Sequence, residues 1–81
     1  MLTRINAARY LGGHSVRLCF SDGLEGTVNL SQELAGEVFE PLRDEAFFAQ
    51  VELHPELHTL VWPNGADFAP EFLREKLLVA A

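Results

Sequence analysis

The alternation of Val16, Leu18 and Phe20 with Arg17 and Cys19, set between two glycine turns, constrains this chain more than any other feature. A side-chain period of two belongs to a strand with one buried face. Gly12-Gly13 precedes it and Ser21-Asp22-Gly23 follows it, so residues 14–20 read as the middle strand of a meander. Residues 3–11 form the first strand, and a Gly12-Gly13 loop pairs Leu11 with His14, Ala7 with Leu18 and Ile5 with Phe20. At the second turn, a two-residue Asp-Gly loop would set Phe20 opposite Glu25. A three-residue loop with Gly23 in the left-handed position pairs Phe20 with Leu24, Leu18 with Gly26 and Val16 with Val28. The hydrophobic pattern selects the three-residue loop, because a slip of one residue turns every side chain to the other face. The third strand is then 24–29.

Beyond the meander the period changes. Ser31 is placed to cap a short helical turn that stops at Gly36. Residues 37–43 read as irregular chain anchored by Val38, Phe39 and Leu42. Asp44 is an N-cap for a helix over roughly residues 45–50, with Phe47, Phe48 and Val51 inward. Residues 51–54 and 58–62 read as two strands. A Pro55-Glu56-Leu57 loop sets Val51 opposite Val61 and Leu53 opposite Thr59. It also places His54 beside His58, on the face that carries Leu60 and Trp62. Pro63-Asn64-Gly65 ends this strand, and Pro70 suits the first position of a last helix over about 70–78. Phe72, Leu73, Leu77 and Val79 form its buried stripe. The whole is an α+β fold in one domain over residues 1–81: a three-stranded antiparallel meander, a helical insert, a second β-hairpin, and a C-terminal helix packed on the sheet.

Charge and composition exclude more than they assign. The formal charge is −6, and the six cations (Arg4, Arg9, Arg17, Arg43, Arg74 and Lys76) are scattered. Nucleic-acid binders draw most of their affinity from neutralising phosphate with clustered bases, so direct nucleic-acid binding is not expected. A basic protein partner fits the charge better. No apolar run reaches the length of a membrane span, Met1 to Asn6 lack signal-peptide character, and the lone Cys19 has no internal disulfide partner. A cytoplasmic protein is the expectation.

Candidate chemistry is sparse. His54 and His58 stand four apart, a metal-binding spacing on a helix, but Pro55 and the flanking alternation make this segment a turn. No further ligand beyond Glu52 is evident, and no metal or cofactor is expected. Cys19 faces away from the meander core with no legible activating base, so it reads as an idle thiol. No nucleotide loop, nucleophile elbow or zinc-protease motif is present, and no catalytic residue is assigned. The most unusual string is Val61 to Asp67, which holds the only tryptophan. Trp62, Asn64 and Asp67 are its candidate ligand- or partner-binding residues. Turn roles explain most of the string, and a small-ligand or hydrolytic site is the alternative.

Phe20-Ser21-Asp22-Gly23-Leu24-Glu25-Gly26-Thr27-Val28-Asn29-Leu30, Val38-Phe39-Glu40-Pro41-Leu42 with Phe47-Phe48, and Val61-Trp62-Pro63-Asn64-Gly65-Ala66-Asp67 before Pro70-Glu71-Phe72-Leu73 together resemble the bacterial family called domain of unknown function 2442. The resemblance spans nearly the whole chain and brings no established activity. It implies a small bacterial protein; with the negative charge and the missing catalytic constellation, the leading expectation is a non-enzymatic protein-interaction module. It also implies a neighbouring small protein of the domain of unknown function 4160 family as partner, in an arrangement like a toxin–antitoxin pair. Some relatives carry a C-terminal helix-turn-helix domain, which is not expected after the last helix here. Self-association through an exposed sheet edge or face is a third possibility.

Overall fold

A computed structural model describes residues 3–80, with side chains through Leu77. The expectations for Met1, Leu2 and the side chain of Val79 lie outside these residues. The chain runs β1 (Ile5–Gly12), β2 (Ser15–Phe20), β3 (Glu25–Asn29), two 3-10 turns (Ser31–Glu33 and Glu40–Arg43), α1 (Glu45–Phe48), β4 (Glu52–Leu53), β5 (Leu60–Val61) and α2 (Pro70–Ala80). The α+β architecture is as read from the sequence. β1, β2 and β3 form an antiparallel sheet in that order, and β4 and β5 form a separate two-stranded hairpin.

The β2–β3 register follows the hydrophobic pattern. Val16 faces Val28, Leu18 faces Gly26, and the Phe20 N–H donates to Leu24 O at 2.8 Å. Gly23 closes the loop at φ +93°, where a β-carbon is strained. The β1–β2 register corrects the sequence expectation. Ile5 does face Phe20, but Leu18 faces Ala8 instead of Ala7, and the closing pair is Gly12 with Ser15 instead of Leu11 with His14. The register shifts once between Ile5 and Ala7 and again between Tyr10 and Gly12. The reason is burial. An unbroken register would have carried Arg9 to the core face with Ala7, and burying an unpaired charge is costly. With the first shift, Ala8 and Tyr10 turn inward and Arg9 stays exposed. The second leaves Leu11 outside.

One core joins all the elements. Ile5, Val16, Leu18, Phe20 and Val28 from the sheet meet Leu34, Leu42 and Phe48 from the insert, Leu60, Trp62 and Phe68 from the second hairpin and its return, and Leu73 and Leu77 from α2. Gly26 lets α2 approach β3, since a β-carbon there would stand 2.7 Å from Leu77 Cδ2.

The insert departs from expectation in detail. Ser31 is not the cap. Asn29 Oδ1 accepts both the Ser31 N–H and its hydroxyl, at 2.9 and 2.6 Å. Asparagine reaches forward two residues in this way at turns. The 37–43 segment contains a 3-10 turn opened by Glu40-Pro41. Leu42 is buried and Phe39 half-buried, but Val38 is exposed and does not anchor the segment. Asp44 does cap α1, accepting the Ala46 N–H at 3.0 Å. Phe48 is buried, with Phe47 and Val51 packed at the core margin. In α2, Leu73 and Leu77 are buried, whereas Phe72 is exposed and lies stacked on Phe68 at 5.6 Å. No helix among the described residues is long and apolar enough to cross a membrane.

Candidate functional site

The Trp62 to Asp67 string folds into a tight return at the end of β5. Pro63 and Asn64 turn the chain, Gly65 takes φ +89°, and the Gly65 N–H donates to Trp62 O at 3.0 Å. The Trp62 N–H then donates to Ala66 O at 2.9 Å, and Val61 and Asp67 bridge across the return. The chain needs glycine at this point because a side chain is rarely tolerated at that φ.

Each side chain in the string has a position that decides its chemistry. Trp62 is buried, lying 5.3 Å from Phe48 and edge-on to Phe68 at 5.7 Å. Its Nε1–H donates to Phe48 O at 3.0 Å, joining the Val51 N–H at 3.1 Å on the last carbonyl of α1. Asn64 works in both directions. Its Oδ1 accepts the Ala66 N–H at 3.1 Å, and its Nδ2 donates to Val38 O at 2.8 Å. The string therefore fastens the second hairpin to α1 and to the 37–43 segment. Thr59 adds to the same structure, its hydroxyl donating to Phe68 O inside the core. Asp67 differs, since it is exposed and no hydrogen bond to its carboxylate is found among the described residues. The three candidates are thus neighbours in the chain but do not converge. The indole points into the core, the amide reaches along the surface to Val38, and one carboxylate faces solvent.

The paired histidines are placed differently from the expectation. β4 and β5 pair Glu52 with Val61 and Leu53 with Leu60, instead of Val51 with Val61 and Leu53 with Thr59. The His54 N–H donates to Thr59 O, so the loop is 55–58 and one residue longer than read. His58 supplies the extra residue by adopting φ +54°, uncommon for a side chain of its size. It sits inside the loop, so the two rings do not flank one another on the strand face that carries Leu60 and Trp62. The His54 ring turns back on its own loop, with Nδ1 accepting the N–H groups of Glu56 and Leu57 at 3.1 and 3.0 Å. Among the described residues, no three His, Cys, Asp or Glu side chains are grouped to hold a metal ion.

Three other polar side chains do long-range work that the sequence did not reveal. Asp22 was legible only as a turn residue. Its Oδ1 does accept the Leu24 N–H at 3.2 Å, and its Oδ2 also receives Arg74 of α2 at 2.7 Å. The Arg74 guanidinium, and then the Leu24 N–H, hold the Asp22 carboxyl below its ordinary range. Arg43 donates from Nε to Leu34 O at 2.8 Å, tying the two 3-10 turns together. His14 lies edge-on to Phe48 and places Nε2 at 2.9 Å from Leu42 O, linking the β1–β2 turn to the insert. No local pattern announces such partners, which are up to 52 residues apart.

The outward face of the sheet is open. Cys19 lies half-buried there, in a shallow depression of about 240 Å³ lined by Ala7, Arg9, Arg17 and Glu25. Arg17 pairs with Glu25 at 3.3 Å, leaving no base positioned to activate the thiol. A second shallow cavity of about 290 Å³ lies between the 55–58 loop, Arg4 and the start of α2.

The family model for "Protein of unknown function (DUF2442)" matches residues 5–77, and the chain belongs to that family. No curated protein and no solved structure matches it.

Proposed function

We propose that this protein is a non-enzymatic protein-interaction module of the bacterial cytoplasm, the acidic and antitoxin-like member of a two-protein pair. The observation that carries this reading is where the negative charge sits. Residues 37–56 expose Glu37, Glu40, Asp44, Glu45, Glu52 and Glu56, against the single cation Arg43. Arg43 is itself engaged with Leu34 O. The same stretch of chain also exposes Val38, with Leu57 just after it, so exposed apolar side chains are interspersed with the carboxylates along the chain. Such a surface suits a basic partner, with charge setting the rate and orientation of encounter and apolar contacts slowing release.

The test is co-expression with the product of the neighbouring small gene. A complex that co-purifies, and that weakens in a Glu40→Lys/Glu45→Lys variant, is expected. Two proteins that elute separately at micromolar concentration refute the reading. A small-ligand or hydrolytic site at Trp62, Asn64 and Asp67 is the weaker proposal. The indole N–H and both ends of the Asn64 amide are already bonded within the fold, which leaves one carboxylate to do the chemistry.

A further inference from the structure

Two of the three histidines, His14 and His54, use their rings in opposite ways, and one use depends on protonation state. His14 Nε2 lies against two carbonyl oxygens, Leu42 O at 2.9 Å and Arg43 O at 3.1 Å. That nitrogen must carry a proton, and it does so in both the neutral and the charged ring. His54 is the reverse. Its Nδ1 faces two N–H groups, those of Glu56 and Leu57. Only a ring with a bare Nδ1 accepts them, and an imidazolium has none.

We propose that His54 is a pH-sensitive latch for the 55–58 loop, closed when its imidazole is neutral and released when it is protonated. The latch acts on a loop that is otherwise thinly held. Pro55 has no N–H, and Glu56 and Leu57 direct theirs to the ring. The His58 N–H donates to His54 O at 2.9 Å, and His58 O accepts the Ile5 N–H at 2.9 Å. These two bonds survive protonation of the ring, so release loosens residues 56–57 without unpairing β1. The loop also forms one wall of the cavity of about 290 Å³ that Arg4, Glu71 and Pro70 line on the other sides. Protonation therefore frees Leu57, already 54% exposed, and opens that wall. Charged groups surround the loop from each element beside it. Glu56 on the loop, Glu71 at the start of α2 and Arg4 before β1 line the same cavity, and Glu52 stands on β4 two residues before His54. His58 is a second imidazole in the same loop, and its effect is separated from that of His54 by variant.

The experiment is NMR on the full chain between pH 7.5 and 5.0. In the wild type at the upper pH, long-range nitrogen correlations should show His54 as the tautomer protonated on Nε2. As the ring gains its proton, the exchange protection of the Glu56 and Leu57 amides, corrected for intrinsic rates, should fall about tenfold. His54→Asn places a carbonyl oxygen within the same short reach and accepts at every pH. It should keep the protection and abolish the step. His58→Asn, in which asparagine tolerates the left-handed backbone, should leave the step intact. The proposal is overturned by an Nδ1-protonated tautomer at pH 7.5, which needs no variant to detect. It is equally overturned by protection that stays level while His54 titrates, by a step that persists in His54→Asn, or by one that vanishes in His58→Asn.

Discussion

Replacing Trp62 with phenylalanine removes one hydrogen-bond donor and part of a ring from the centre of the fold. Trp62 is 3% exposed, and its Nε1–H is bonded to Phe48 O inside the core. Phe48 O keeps the Val51 N–H at 3.1 Å, so the substitution removes one of its two hydrogen bonds, worth about 0.5–1.5 kcal/mol. The smaller ring leaves a void between Phe48 and Phe68, which adds roughly 1 kcal/mol. The expected loss is therefore about 1.5–2.5 kcal/mol. A chain of 81 residues has a total stability on the order of 4–12 kcal/mol, so the variant remains folded at room temperature with a sharply lower urea midpoint. Far-UV circular dichroism is the right probe, because the substitution deletes the only tryptophan. A benzothienylalanine at the same position, with sulfur in place of N–H, isolates the donor and should account for about 0.5–1.5 kcal/mol of the loss. A Trp62→Phe variant whose midpoint and slope both match the wild type would refute the assignment of this residue to the core.

Other expected outcomes follow from single contacts. Gly26→Val should lower stability by about 1–3 kcal/mol, because its branches enter the space of Leu77. Gly26→Ala should cost less, since the tip of the Leu77 side chain can move, and paired denaturation curves give the order. The Asp22 carboxyl is held low by Arg74, so its stabilising contribution is present above the ordinary value of 3.8 and is lost as pH falls through the lowered value. The melting-temperature gap between wild type and Asp22→Asn should therefore be constant near neutrality and close in acid. A gap that persists at pH 2 contradicts the pairing. Gly23→Ala should destabilise the β2–β3 turn by about 1 kcal/mol, because φ there is +93°.

The sequence was most legible where the side-chain period was strict. The β2–β3 register could be read because Val16, Leu18 and Phe20 require apolar partners, and only the three-residue loop supplies them. β1 was legible as a strand but not in register, because its apolar residues do not alternate cleanly and Arg9 had to be kept out of the core. The second hairpin was missed by one residue for a different reason. His58 adopts a backbone that its residue type does not advertise, and the loop is closed by a ring nitrogen of His54. Of the candidate residues, Asn64 and Trp62 stood out in the sequence as unusual, and the structure bonds their polar atoms within the fold. What could not be read was where their polar atoms go, since Val38 lies 26 residues from Asn64. Long-range side-chain bonds leave no periodic trace, and only the assembled core brings the partners together.

The central claim is that the Trp62 to Asp67 string fastens the insert to the second hairpin. Asn64→Ala tests it most directly by hydrogen exchange followed residue by residue. The substitution removes the donor to Val38 O and the acceptor for the Ala66 N–H. The account predicts faster exchange both around 64–66 and in the distant 37–43 segment, with β1, β2 and β3 unchanged. Exchange that rises only around 64–66 and leaves 37–43 as protected as in the wild type would contradict it.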